Sequence, residues 1–255
     1  MDRLRGRTVL ITGAPRGIGK SVVQACATEG ARVAFTYLDH KESAVELVSS
    51  LHRQGYPALS YYGDVRDESR AQEIVSDVVR KWGTIDILIN NAAIYPRRDW
   101  TTLNRADFDE IFGINVWGMF VYCQAVFPYM KAQHRGKIIN VSSVTFWNGA
   151  KEFIDYVSTK GAVIGFTRSL ARALGNYGIC VNAVTPGAVL TEQELMDFPS
   201  PSQQQAIAEQ MARLQCFSRR EQPDDVVGTF LFLASSDSDF MTGQAINIDG
   251  GWIMH

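Results

Sequence analysis

The chain has 255 residues, 46% of them hydrophobic and 20% charged, and a formal net charge of −2. That supplies apolar material for one large core, while the balanced charge lacks the basic excess that a nucleic-acid or anionic-membrane surface requires, so small molecules are the expected partners. Cys26, Cys123, Cys180 and Cys216 lie far apart with no CxxC or metal-ligand spacing, which fits reduced thiols in a cytoplasmic protein without a metal site.

The opening "MDRLRGRTVLITGA" has an apolar run too short for a signal peptide and is expected to form a strand. Nowhere does the chain reach the ~18 uninterrupted apolar residues of a membrane span. Further strands are expected at 31–37, 57–62, 85–90, 136–142, 179–184 and 244–249, after a first one at 7–12. Their centres are continuously apolar, as in a parallel sheet covered on both faces, and the stretches between them are long enough for crossover helices. The expected fold is therefore α/β: a doubly wound, Rossmann-type parallel sheet of about seven strands in a single domain. Its ligand crevice lies beyond the carboxyl ends of the strands.

The first strand runs into "TGAPRGIGK" and then a helical pattern closed by Gly30. Gly13, Gly17 and Gly19 are spaced G-x-x-x-G-x-G, which allows a sharp turn and a close backbone approach to a pyrophosphate at a helix N-terminus. Two segments carry Y-x-x-x-K: "YLDHK" from Tyr37 and "YVSTK" from Tyr156. Only the second has a serine, Ser143, thirteen residues earlier at a strand's carboxyl end. The Tyr37 copy fits the solvated start of a helix.

These motifs resemble the short-chain dehydrogenase/reductase family over almost the whole chain. The resemblance implies that Gly13, Arg16, Gly17, Ile18 and Gly19 hold a nicotinamide dinucleotide, with Tyr37 at the tip of the second strand. Asp64 and Val65 match the adenine-contacting pair. Asn91 lies in "NNAA", where Ala93 replaces the family's glycine, and Pro186, Gly187, Val189 and Thr191 match the segment that holds the carboxamide. Asn115, Ser143, Tyr156 and Lys160 match the catalytic set. Tyr156 exchanges the proton, Lys160 supplies positive charge and binds the ribose, Ser143 holds the substrate oxygen, and Asn115 anchors a relay water. Tyr156 and Lys160 thus belong to both the catalytic and the cofactor sets.

An acid at the end of the second strand selects NAD. Tyr37 stands there, with Asp39 two residues late and Arg16 in the loop, which favours NADP(H) over NAD(H). Residues 187–215, interrupted by Pro199 and Pro201, suit a substrate lid followed by a short helix. Arg97, Thr145 and Asn148, with Tyr95, Arg98 and Trp147, suit a polar, partly basic rim for a sugar or other polar or anionic secondary alcohol. A 3-oxoacyl-carrier-protein reductase is the alternative enzyme, and a non-catalytic cofactor-sensing protein the alternative of another class. Surplus apolar helix surface and the resemblance imply a homotetramer, and the apolar end "DGGWIMH" is expected to pack on a neighbour or the lid.

Overall fold

The computed structural model describes residues 2–254. Seven strands form one parallel sheet: β1 (Thr8–Ile11), β2 (Arg32–Tyr37), β3 (Ala58–Tyr62), β4 (Ile87–Asn90), β5 (Gly136–Val141), β6 (Ile179–Pro186) and β7 (Ala245–Ile248). All seven fall within or beside the stretches expected from apolar content. Their order is β3-β2-β1-β4-β5-β6-β7. Direction of winding reverses between β1 and β4, where Leu10 pairs with Leu88, and the crevice opens above that point.

Alternation along each strand feeds two cores. Val9, Ile11, Val33 and Phe35 pack with Val22, Val23, Leu47 and Phe230, residues of α1 (Gly17–Thr28), α2 (Lys41–Arg53) and α10 (Pro223–Ala234). Leu10, Ala34, Leu88 and Ile138 pack on the other face with Ile74, Tyr122, Val126 and Val163. Those belong to α3 (Glu68–Trp82), α5 (Gly118–Ala132) and α7 (Ile154–Leu174). Both sheet faces are covered, which is why the strands carry no polar alternation.

The helical stretch 105–132 is interrupted. α4 (Arg105–Phe112) passes through a wider π turn, Gly113–Trp117, into α5. By length and composition this stretch could cross a membrane, yet half of its apolar window is buried in the fold, as the core helix of a packed sheet requires. The segment expected as a lid loop is largely helical instead. α6 (Thr145–Asn148) precedes α7, and beyond β6 come α8 (Glu192–Asp197) and α9 (Pro201–Leu214), of 14 residues, entered through a Ser200 capping box with Pro201 at its first position. The proline that interrupts a loop pattern is here a helix start. The C-terminal turn packs on the exit of α9, where the Cys216 amide donates to Gly250 O at 2.8 Å. His255 lies outside the described residues.

Candidate active site

The glycine loop is held by the adjoining strand ends. The amides of Asn91 and Ala92 both donate to Thr12 Oγ1 at 3.1 Å, and Asn91 Nδ2 donates to Thr12 O at 3.1 Å and Gly13 O at 2.7 Å. Asn91 therefore serves the cofactor loop by shaping it. Gly13 has φ +65, and a Cβ there would stand 2.7 Å from Ala92 Cα; one on Gly19 would stand 2.7 Å from Ala14 Cα. Only glycine fits this close approach of loop to strand.

A cleft of about 930 Å³ runs from Gly13, Arg16, Gly17, Ile18 and Gly19, past Tyr37 and Asp39, along Asp64, Val65 and Asn91, to Tyr156 and Lys160. Its shape and glycine floor fit the dinucleotide that the motifs imply. Arg66 pairs with Asp64 and holds that carboxyl below the usual range through its hydrogen bonds. Thr191 lines the cleft as well. Pro186 ends β6, and Val189 is buried and bridged to Glu221. A Cβ on Gly187 would meet Glu221 Oε2 at 2.6 Å, so that turn lies against Glu221.

Ser143, Tyr156 and Lys160 converge at the inner end. The Ser143 hydroxyl lies beside the phenol and favours its ionised form, and Ser143 Oγ accepts the Thr145 amide at 3.2 Å. Tyr95 and Phe153 each set a ring edge-on to Tyr156, with centroids 6.0 Å away. Lys160 Nζ lies 5.2 Å from the Tyr156 ring and donates to Val141 O at 2.8 Å, while Ser142 Oγ donates to Lys160 O at 2.9 Å. β5 and α7 are thereby tied together where the serine and the tyrosine must meet. Burial pushes the phenol above its ordinary value and brings Lys160, 3% exposed, down to about 7. Spacing alone implies a lysine that is simply charged; its enclosure makes the charge depend on pH near neutrality.

Asn115 sits in the π turn, 3% exposed. Its Oδ1 accepts the Ile94 amide at 2.9 Å; its Nδ2 donates to Ile94 O at 2.9 Å and to Thr159 Oγ1 at 3.1 Å. Thr159 in turn donates to Tyr156 O at 2.7 Å. The ladder Asn90–Asn140–Thr167 adds two buried bonds of 2.9 Å between β4, β5 and α7. Thr159 and Asn140 were not singled out in the sequence, where a lone polar residue amid apolar ones carries little signal.

The two rim arginines have different surroundings. Arg97 lies over the rings of Phe153 and Phe198, at 4.6 and 4.9 Å, with no carboxylate partner among the described residues. Arg98 lines the same cleft, with its guanidinium paired to Asp107, Glu110 and Asp155. Thr145 and Asn148 stand on α6 beside Ser143. The Thr145 hydroxyl is buried without a partner, and Asn148 is exposed.

The start of α8 touches the glycine loop. Glu192 Oε2 accepts the Gly17 amide at 2.8 Å, at the N-terminus of α1, and Arg16 donates to Gln193 Oε1 at 3.1 Å. Arg16, expected to face a 2′-phosphate, is turned to α8. Nothing in the local sequence signals Glu192, which lies 175 positions from its partner.

A parallel sheet with a glycine turn after β1, and a serine, tyrosine and lysine meeting at its carboxyl edge, defines a nicotinamide-dependent oxidoreductase. A family model described as enoyl-(acyl carrier protein) reductase matches residues 13–253. The probable galactose dehydrogenase GalD of Rhizobium meliloti is 38% identical over 249 residues, covering 97% of this chain and 95% of that protein. The 3-oxoacyl-[acyl-carrier-protein] reductase FabG of Staphylococcus aureus is 34% identical, covering 97% and 98%. The uncharacterized oxidoreductase YhdF of Bacillus subtilis is 36% identical, covering 98% and 84%. Among solved structures, gox2181 superposes with a TM-score of 0.91 at 30% identity, covering 98% of this chain and 96% of that one. The chain belongs to the short-chain dehydrogenase/reductase family and is an NAD(P)-dependent oxidoreductase.

Proposed function

We propose that this enzyme oxidises a secondary hydroxyl of a small polar molecule, a sugar or sugar acid, or reduces the matching carbonyl. The approach of the Ser143 hydroxyl to the Tyr156 phenol, with buried Lys160 Nζ 5.2 Å from the ring at the end of the dinucleotide-sized cleft, carries the proposal. Ser143 holds the reacting oxygen where negative charge develops. Tyr156 exchanges the hydroxyl proton, and a protonated Lys160 beneath it lowers the phenol's proton affinity. Asn115, whose side chain is spent on Ile94 and Thr159, stands one hydrogen bond from Thr159 beneath Tyr156, where the family resemblance puts a relay water. When bound, the nicotinamide supplies or accepts the hydride.

The glycine loop, Tyr37, Asp64, Val65 and the segment from Pro186 to Thr191 hold that cofactor, and Lys160 binds its ribose. NADP(H) is the favoured form because Tyr37 leaves no acid at the tip of β2. Arg16 must release Gln193 to reach a 2′-phosphate, and Asp39 is the group that would select NAD(H). Arg97, an unpaired guanidinium held by two aromatic rings, would recognise an anionic or hydroxylated substrate, with Thr145 and Asn148 on the opposite rim. Residues 187–215 form the lid. A cytoplasmic homotetramer is proposed, with Trp117, 44% exposed, in the contact face of the 105–132 helices and with no nucleic-acid or membrane partner.

The test follows absorbance at 340 nm with NADP⁺ and NAD⁺ over aldoses, aldonic and uronic acids and short secondary alcohols. Turnover of a polyhydroxylated substrate, a higher kcat/KM with NADP⁺, and a KM for acids raised about tenfold by Arg97→Ala are the expected results. The similarity to FabG favours one other substrate class, tested by acetoacetyl thioester reduction. Tight cofactor binding without turnover of any probe would instead point to a non-catalytic sensor.

A further inference from the structure

We propose that Arg98 is a positioning residue for the catalytic tyrosine, acting through Asp155 to set the height of the first turn of α7; this rests on Tyr156 being the proton exchanger. Arg98 spans two helices. Its Nη2 lies 2.8 Å from Glu110 Oε2 and its Nε 3.4 Å from Asp107 Oδ1, both on one face of α4. Its Nη1 reaches Asp155 Oδ2 at 3.1 Å, in the first turn of α7.

Asp155 precedes Tyr156 directly and is 1% exposed. Its other oxygen, Oδ1, accepts the Tyr156 amide at 2.9 Å. First-turn amides have no intrahelical acceptor, and the capping residue of α7, Phe153, offers no side-chain bond. Asp155 supplies that acceptor from inside the turn, and Arg98 is the one basic side chain ion-paired with it among the described residues. A carboxylate this deeply enclosed cannot keep its charge at low cost once its cation is gone. Without Arg98 it is left as an uncompensated buried charge that turns toward water, and that movement releases the Tyr156 amide.

Position is transmitted twice. Tyr95 and Phe153 fix the phenol ring sideways, whereas the Arg98–Asp155 pair fixes it along the helix axis. The α4 end of the bridge leads straight into the π turn that carries Asn115, which reaches Tyr156 O through Thr159. One guanidinium therefore sets the two segments whose relative position the proton path needs. Arg98 lines the cleft, but its guanidinium is held by three carboxylates and bonds to no residue of the glycine loop or β2, so cofactor affinity is expected to depend on it little.

The experiment compares Tyr156→Phe, Arg98→Met, Asp155→Asn and the double variant Arg98→Met/Asp155→Asn. Each is assayed for kcat on the best substrate of the panel above, for NADPH Kd by fluorescence, and for hydrogen exchange over residues 153–160. Arg98→Met is expected to lower kcat about 30- to 100-fold, with Kd within about twofold and exchange at least about tenfold faster, since small displacements of a reacting group are costly. The double variant is expected to recover about tenfold of that loss, because the stranded charge is gone. Should Arg98→Met not fold, Asp155→Asn serves alone, with kcat lowered about 3- to 10-fold and Kd unchanged. Unchanged kcat in the variant measured, a Kd that weakens in step with kcat, unchanged exchange in Arg98→Met, or a double variant no better than Arg98→Met overturns the proposal. Tyr156→Phe separates the two levels: if it stays active the tyrosine assignment itself fails, and if it is dead while Arg98→Met is normal only the positioning role fails.

Discussion

Replacing Glu192 with glutamine should tighten cofactor binding. The Glu192 carboxylate caps the Gly17 amide at the start of α1, the helix end at which dinucleotide folds seat a pyrophosphate. Two anions cannot share that amide, so the closed arrangement competes with the cofactor's phosphates. A hydrogen bond to an ionised acceptor contributes about 1.5–3 kcal/mol against about 0.5–1.5 for a neutral one. Interaction with the helix dipole adds about 0.3–1 kcal/mol. The Glu192→Gln side chain would keep the geometry and lose the charge, which removes roughly 1–2 kcal/mol of competition, or about 5- to 30-fold in Kd. NADPH fluorescence titration at low and at physiological salt measures this, and inorganic pyrophosphate as a competitor should gain affinity in parallel. A Kd for Glu192→Gln equal to or weaker than wild type would refute the idea that the carboxylate and the cofactor contend for one site.

Tyr156→Phe should lower kcat by at least about a thousandfold and leave cofactor Kd within about threefold, whereas Tyr37→Phe should leave the chemical step unchanged; steady-state kinetics and titration check both. Lys160 is brought from its ordinary 10.5 to about 7 by burial, so between those values the unfolded chain holds a proton that the fold does not, and stability rises with pH through that window. Lys160→Met should therefore be inactive yet melt a few degrees above wild type at pH 6, with the gain shrinking toward pH 10 in thermal denaturation. Glu221 behaves oppositely: burial, then the nearby Asp249 carboxylate, raises it from 4.5 to about 8, and both of its oxygens lack partners. Its contribution is complete below pH 4.5 and is lost as pH rises through 8, so the melting advantage of Glu221→Gln over wild type should grow between pH 5 and pH 9.

Which parts of this were readable from sequence follows from the range of the interactions. Seven strands were legible because a strand covered on both faces is apolar at consecutive positions, a pattern contained in each strand itself. The glycine loop was legible for the same reason, whereas Tyr156 with Lys160 was told from the Tyr37 copy only by Ser143 thirteen residues earlier. Thr159, Asn140 and Glu192 were not, because each matters through a partner far along the chain. The helical character of residues 192–214 was obscured by Pro199 and Pro201, of which the second is a helix-starting residue rather than a breaker.

The sequence by itself determined the class of fold and the place of the crevice, because these depend on periodicity within each element, and it pointed to Tyr156 over Tyr37 through the spacing to Ser143. Only the tertiary structure decided that Arg97 lies against two rings while its neighbour Arg98 is taken by three carboxylates. It also decided that Arg16 turns to α8 and that enclosure moves the proton affinities of Tyr156 and Lys160 in opposite directions. Desolvation and ion pairing are properties of the surroundings a side chain is folded into, and neighbours in the chain do not share them.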